Sequence, residues 1–227
     1  MSEIIPIFPI DVVLYPNQKV PLRIFEPRYR QMLDDCMSSN RIFGIGILDN
    51  LKTEKGWARP VNVGTLAYIL KCEDLDFTGS NYYIEILGKK RFSIEKLISP
   101  SVEKPKEYFS PNGPSMKQMM KKSSGKPLYF QANVTYLDEI NDDVNINDWI
   151  FLLGKLETKI IKIANNMGVE VDDFSDFVTS SGLNLNSAKM QDLYTISSMC
   201  SLPIEAQQNV LEAESSKEIV KILAKEI

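Results

Sequence analysis

One short cluster in this chain contains the residue types of a serine–lysine hydrolase, and it reads Ser123-Ser124-Gly125-Lys126. A lysine activates a serine only when its amine is desolvated and held within hydrogen-bond distance of the hydroxyl group. The cluster ends a stretch that carries lysines at 104, 106, 117, 121, 122 and 126, which indicates a solvated surface. We therefore predict a surface segment here and no catalytic residue.

Histidine is absent from all 227 residues. This absence removes every Ser-His and Cys-His mechanism, together with the commonest metal ligand of proteins. The cysteines Cys36, Cys72 and Cys200 are far apart and form no C-x-x-C pair, so the sequence indicates neither a zinc site nor a redox motif. We predict free thiols, with Cys36 buried, and no metal or cofactor.

Two groups of acidic residues have the ligand type that a hard cation such as Ca²⁺ prefers. Both lie in predicted turns or before a predicted helix, where carboxylates are commonly solvated or interact with a helix N-terminus. We interpret both groups as solvated. Their members are Glu73, Asp74 and Asp76 in the first, and Asp138, Glu139, Asp142 and Asp143 in the second.

The composition predicts a globular protein, with 44% hydrophobic and 25% charged residues. No apolar run approaches the roughly 20 residues that cross a bilayer, and Met1-Ser2-Glu3 does not resemble the start of a signal peptide. A net charge of −4 argues against a general nucleic-acid binder. We expect a cytoplasmic protein that binds neither membrane nor nucleic acid.

The first forty residues predict two short strands, a turn at Tyr15-Pro16-Asn17-Gln18 and a helix that begins at Glu26-Pro27. Prolines at 6, 9 and 16 cannot donate to a sheet, so the first strand should be short, bulged or at an edge. The helix should end near 38–40 and pack through one apolar face. That face comprises Tyr29, Met32, Leu33, Cys36 and Met37, opposite Arg28, Arg30, Gln31, Asp34 and Asp35.

From 41 to about 98 the pattern predicts further strands, over 41–48, 61–71, 81–87 and 89–98, with a turn at Gly88. Gly44 and Gly46 leave one strand face bare, which indicates a bend or the close approach of a neighbour. Residues 99–127 contain five prolines and read as a long loop or arm, with one amphipathic helical turn at Met116, Met119 and Met120. A strand follows over 127–137.

The remaining sequence predicts a helical bundle. An apolar face formed by Trp149, Leu152, Leu153, Leu156, Ile160, Ile163 and Ala164 should end at Asn165-Asn166-Met167-Gly168. Shorter helices are predicted over 172–179, 187–199, 203–212 and 216–226. We predict a β-rich domain over residues 1–140 and a helical subdomain over residues 141–227.

Five segments together resemble the Lon N-terminal, substrate-binding domain, in a stand-alone form. They are Phe8-Pro9 to Tyr15-Pro16, Pro21 to Arg30, Val63 to Ala67, Gly88 to Phe92 and Leu202 to Glu212. Asn17 departs from the glycine common in the family, but asparagine tolerates positive φ. The sequence contains neither a Walker phosphate loop nor a Ser-Lys protease domain.

The resemblance implies an α+β fold, with a folded sheet or pseudo-barrel of about six strands and one helix, followed by a helical bundle. It also implies a non-catalytic role in binding unfolded or exposed polypeptide segments, with transfer to a protease or chaperone. The alternative is an adaptor or assembly subunit that binds one folded partner through the helical bundle. The sequence does not predict an oligomeric state.

A bound peptide should contact an exposed strand edge or an aromatic groove. The candidate contacts are Tyr15, Tyr82, Tyr108, Phe109, Met116, Met119 and Met120. The arginines Arg23, Arg28 and Arg30 are better explained as structural, through pairing with Glu26, Asp34 or sheet carbonyls. Phe25, Arg28 and Tyr29 are therefore predicted to be scaffold rather than site.

Overall fold

The computed structural model describes residues 3–110, 113–140, 143–168 and 173–227. The chain divides into two compact units, Met1–Asp138 and Glu139–Ile227, whereas the predicted boundary lies at 140. The strands are β1 Glu3–Pro9, β2 Lys19–Ile24, β3 Ile42–Gly46, β4 Leu48–Glu54, β5 Trp57–Pro60, β6 Val63–Asp74, β7 Tyr82–Ile98 and β8 Phe130–Tyr136. The helices are α1 Pro27–Met37, α2 Met116–Ser123, α3 Ile146–Met167, α4 Phe174–Ser180, α5 Met190–Met199, α6 Ile204–Glu212 and α7 Ser216–Glu226.

The first unit is built on a six-stranded sheet in the order β2-β7-β6-β3-β1-β8. Strand β7 pairs with β2 through its first half and with β8 through its second half, so β8 joins β1 to β7 and folds the sheet back on itself. Among the strand pairs of the described residues, only β1 and β3 run parallel. This sheet, followed by a helical region, confirms the predicted α+β fold.

The prolines predicted that the first strand is short, bulged or at an edge, and of these the edge position is wrong, because β1 lies between β3 and β8. It pairs with β8 through Glu3–Ile7 and with β3 through Ile7–Pro9. Pro6 and Pro9 each lie where β1 has a partner strand on one side only, and a residue without an N–H group is tolerated there. The turn after β1 forms as predicted, but β1 and β2 pair with different strands.

The turn predicted at Gly88 does not form, because strand β7 continues through this residue. The amide of Asn17 donates to the Gly88 carbonyl (2.9 Å), and the Gly88 amide donates to the Gln18 carbonyl (2.8 Å). A Cβ atom at Gly88 would lie 2.0 Å from the Tyr15 carbonyl oxygen. The glycine therefore permits a close backbone approach, and Asn17 adopts the positive φ of 61° that its position requires.

Helix α1 begins at Pro27, as predicted, and ends at Met37, just before the predicted end at 38–40. Its apolar face joins the sheet core through Tyr29, Met32, Leu33 and Cys36. A second apolar cluster includes Trp57, Phe92, Met119 and Phe130. Gly44 faces this cluster closely, since a Cβ atom there would lie 2.7 Å from Ile7 and Phe92 side-chain atoms. The close approach predicted at Gly44 is confirmed.

Two elements of the first unit differ from the predictions. The hairpin of β4 and β5, which carries Trp57, was not predicted. The helical turn predicted at Met116, Met119 and Met120 is the eight-residue helix α2. A capping box begins it, because the Ser115 side chain accepts from the Gln118 amide and the Gln118 side chain accepts from the Ser115 amide.

In the second unit, α3 ends at Gly168 (φ 68°), as its sequence predicted. Its apolar face is buried only through Trp149, Leu152, Leu153 and Leu156, whereas Ile163 is exposed. The four shorter predicted helices correspond to α4–α7, although residue 172 lies outside the described residues. Within the described part of the chain, no helix combines the length and apolar character needed to span a membrane.

Replacing Gly88 by alanine should lower the free energy of unfolding of the first unit by about 2 kcal/mol, because overpacking a filled interior costs about that much. In a Trp149→Phe background, Trp57 is the sole tryptophan and reports urea unfolding of this unit. Gly46→Ala is the matched control, since its nearest contact would be an ordinary 3.4 Å to Pro60 Cβ. Equal stability of the two variants would contradict the close-approach role of Gly88.

Cys36 should resist thiol reagents in the folded protein. Burial, with a smaller contribution from Asp35, raises the pKa of its thiol to about 12, and its Sγ lies 3.3 Å from the Ile42 carbonyl oxygen. The reactive thiolate is therefore scarce at pH 8. Mass spectrometry after iodoacetamide treatment should find Cys72 and Cys200 modified before Cys36, and all three modified in urea. Early labelling of Cys36 would contradict its burial.

Candidate functional site

A groove of about 520 Å³ opens on the first unit. Five parts of the chain line it: residues 8–12 at the end of β1, the junction between β2 and α1, Leu48 at the start of β4, the start of β5, and Lys104 with Phe109. Its volume lies within the range of about 300–1,000 Å³ typical of ligand pockets. The groove is therefore large enough to receive several side chains of a bound molecule.

The Arg28 guanidinium lies at the base of this groove. Its Cζ atom is 4.1 Å from the ring centroid of Tyr29 and 4.2 Å from that of Trp57, and its Nε donates to a Glu26 carboxylate oxygen at 3.1 Å. Arg28 was predicted on the polar side of α1, but only 8% of it is exposed. The two aromatic faces and the carboxylate compensate its desolvation.

The wall of the groove comes from the first part of the 99–127 segment. Trp57 Nε1 donates to the Val102 carbonyl (2.9 Å), and the Lys104 amide donates to the Lys55 carbonyl (2.9 Å). Tyr108 packs edge-on against Trp57, with ring centroids 4.8 Å apart, and burial raises the pKa of its hydroxyl. This part of the segment is thus fixed to the β4–β5 hairpin.

Two phenylalanines at the groove remain exposed, Phe25 at 59% and Phe109 at 68%. Phe25 was predicted to be a scaffold residue. This prediction is wrong, because more than half of the side chain is exposed. A sequence signal existed: Phe25 precedes the Glu26 N-cap, where an apolar residue commonly packs against the fourth helical residue. That residue is Arg30, so Phe25 lacks the usual partner.

Strand β2 leads directly into the groove. Within the described residues it pairs with β7 alone, so its other edge carries no strand. Pro21 in the middle of this edge removes one hydrogen-bond donor. Arg23, at its end, lines the groove and donates from Nε to the Asn81 side-chain oxygen (2.7 Å). An extended segment can therefore approach the groove along β2.

Of the seven predicted contacts, Phe109 lines this groove. Tyr108 is buried in the second core cluster and supports Phe109 from there, with ring centroids 5.0 Å apart, so we correct it to a core residue. Tyr15 and Met119 are fully buried, because Tyr15 packs in the interior and Met119 anchors α2 to the second core cluster. We correct both from candidate contacts to core residues. Tyr82, Met116 and Met120 are half-buried elsewhere. The sequence reasoning missed Trp57, Lys104 and Phe25 as groove residues.

The Ser-Lys cluster has a structural explanation. Ser123 is buried at the end of α2, and its hydroxyl donates to the Met120 carbonyl (2.9 Å), whereas Lys126 is exposed. Ser124 closes the helix in the left-handed conformation, at φ 55°. The cluster thus terminates α2 and does not hold a serine–lysine pair.

The first acidic group organises the turn between β6 and β7. Asp74 accepts from the Gly79 amide (2.9 Å), and Asp76 accepts from the Thr78 and Ser80 hydroxyls (2.8 and 3.0 Å). The hydrogen bond from the Thr78 side chain is the main cause that lowers the pKa of Asp76 to about 2. Among the described residues, which exclude Asp142, no cluster of three His, Cys, Asp or Glu could hold a metal ion.

Comparison with known proteins agrees with this architecture. The sequence matches the ATP-dependent protease La (LON) substrate-binding domain over residues 4–226. The fold resembles a Lon N-terminal domain protein from Xanthomonas campestris, with a TM-score of 0.61 at 17% identity over 98% of each chain. It also resembles the N-terminal domain of a Mycobacterium avium complex Lon protease, with a TM-score of 0.60 at 17% identity over 98% of this chain and 97% of that one. Because the family match spans nearly the whole sequence, the chain belongs to the LON substrate-binding domain family.

Proposed function

We propose that this chain is a non-catalytic polypeptide-binding protein, and that it holds extended segments of unfolded or exposed protein in the groove. The observation that carries the proposal is the pair of exposed phenylalanines, Phe25 and Phe109, beside the buried base of Arg28 and Trp57. Its membership of a substrate-binding family supports a role in recognition.

Burial of apolar side chains supplies most of the binding free energy in this proposal. A phenylalanine or leucine taken out of water contributes about 1.5–3 kcal/mol. Phe25 and Phe109 offer ring faces that accept any large apolar side chain, and the apolar residues Pro9 and Ile10 line the same groove. Such a surface suits many different segments rather than one sequence.

Backbone pairing along β2 supplies the second part. An extended peptide adds to an exposed edge through main-chain hydrogen bonds, which do not depend on its sequence. Pro21 limits the number of these bonds, so pairing alone is weak and capture of side chains in the groove is required. Tyr82, Met116 and Met120 remain predicted secondary contacts.

No catalytic step is assigned to the chain. The sequence contains no histidine, and the Ser123 hydroxyl is used within α2. We propose instead that the bound segment is passed unchanged to a protease or chaperone. This function requires reversible binding.

Replacing both Phe25 and Phe109 by alanine should weaken binding of an unfolded casein-like client about tenfold or more, because exposed aromatic anchors dominate such interfaces. Fluorescence anisotropy of the labelled client measures the Kd. Phe151→Ala is the matched control, since Phe151 is 55% exposed on α3 in the other unit. Circular dichroism checks that all variants keep their helix and strand content.

The outcome also separates the two functions that the sequence left open. Loss of binding in the groove variant alone supports the polypeptide-binding function. No complex with the unvaried protein at tens of micromolar contradicts it. A cross-linked pull-down that returns one folded partner at fixed stoichiometry, lost in Phe151→Ala but kept in the groove variant, would favour the adaptor function.

A further inference from the structure

We infer that the groove selects acidic segments, in which an aromatic or large aliphatic residue is flanked by aspartate or glutamate. This inference rests on the proposed function and adds the chemistry of the occupant. It follows from the charges in the groove wall and in the segment that supplies this wall. The relevant groups are Arg23, Arg28 and Lys104 against Asp11 and Glu26.

A smaller fraction of the positive than of the negative side chains in the groove is paired with an opposite charge. Glu26 is already bound to the buried Arg28. Arg23 is hydrogen-bonded to a neutral amide, and Lys104 makes no ion pair within the described residues. Asp11 is the opposing charge in the lining. Two cations are therefore available to an incoming carboxylate, while one of the two carboxylates is already bound.

Lys104 is placed to combine charge and apolar contact in one ligand. Its Nζ atom lies 4.9 Å from the Phe109 ring centroid and 5.9 Å from that of Trp57. A segment whose apolar side chain packs against Phe109 brings its neighbouring residue close to this ammonium group. A carboxylate at that neighbouring position gains an ion pair, whereas a lysine there meets a like charge.

The charge around Lys104 continues beyond the groove. Lys106 and Lys122 line a shallow depression with Pro105 and Glu107, which lie between Lys104 and Phe109 in the chain. The whole 99–127 segment carries six lysines and two glutamates, in a protein whose net charge is −4. A local basic surface on an acidic protein attracts acidic segments and is screened by salt.

A polypeptide is a better occupant than a nucleic acid. The Asp11 carboxylate lines the groove, and a continuous phosphate backbone meets it as well as the negative charge of the whole chain. A polypeptide places carboxylates only where its acidic residues occur. Its apolar side chains also match the exposed phenylalanine rings.

Three labelled peptides of equal length test the inference, each with the same Phe and Leu anchors and with flanking Glu, Gln or Lys residues. The acidic peptide should bind about fivefold more tightly than the neutral one, because each exposed ion pair contributes about 0.2–1 kcal/mol. The basic peptide should bind most weakly. Raising the salt concentration from about 50 to about 500 mM should reduce these differences.

Lys104→Gln should raise the Kd of the acidic peptide about two- to fivefold more than it raises that of the neutral peptide. Lys221→Gln is the matched control, an exposed lysine on α7 in the other unit. It should change neither value. Both substitutions are at exposed side chains, and circular dichroism verifies the fold.

Failure of the acidic preference and failure of the proposed function give different results. If none of the three peptides binds at tens of micromolar, the proposed function itself is overturned. If all three bind equally, or the basic one binds best, the acidic preference is wrong while the polypeptide-binding function stands. Displacement of the acidic peptide by a single-stranded oligonucleotide of similar affinity would also overturn the inference, since it identifies a general polyanion surface.

Discussion

The groove depends on one buried cation, the guanidinium of Arg28. It lies between the rings of Tyr29 and Trp57 and is bound by Glu26, so it joins the start of α1 to the β4–β5 hairpin. Trp57 in turn fixes the 99–127 segment through its hydrogen bond to Val102. Leaving a buried charge without its partner typically lowers the free energy of unfolding by roughly 3–5 kcal/mol. These groups therefore hold one another in place. The rings and charges of the groove wall have defined positions because this base is fixed.

The exposed part of the groove is built differently from its base. Arg28 and Trp57 belong to a helix and a strand, whereas Phe25 lies at a junction and Phe109 in a segment without regular structure. Such an arrangement places adaptable contacts on a rigid support, which is how binding sites are commonly organised. The fold resembles those of two Lon N-terminal domains at 17% identity.

Local rules predicted much of the fold because they concern residues that are close in sequence. Pro27 marks the start of α1 and Gly168 the end of α3, and the apolar face of α1 is the buried one. The predictions were wrong where a contact with a residue distant in sequence determines the local structure. Gly88 resembles a turn glycine until the Tyr15 carbonyl is seen beside it, and the burial of Arg28 depends on Trp57, in a hairpin that was not predicted. For the site, sequence reasoning found Phe109, but the groove became visible only once β5 and α1 were brought together.

Hydrogen–deuterium exchange of the whole chain, with and without an unfolded client, tests the central claim most directly. Exchange slows where backbone amides become hydrogen-bonded or excluded from solvent. The account predicts that the client slows exchange in β2 and in residues 104–109, which flank the groove. It predicts no change in α3, which belongs to the other unit. Protection confined to α3, with unchanged exchange in β2 and residues 104–109, would contradict the claim that polypeptide segments bind in this groove.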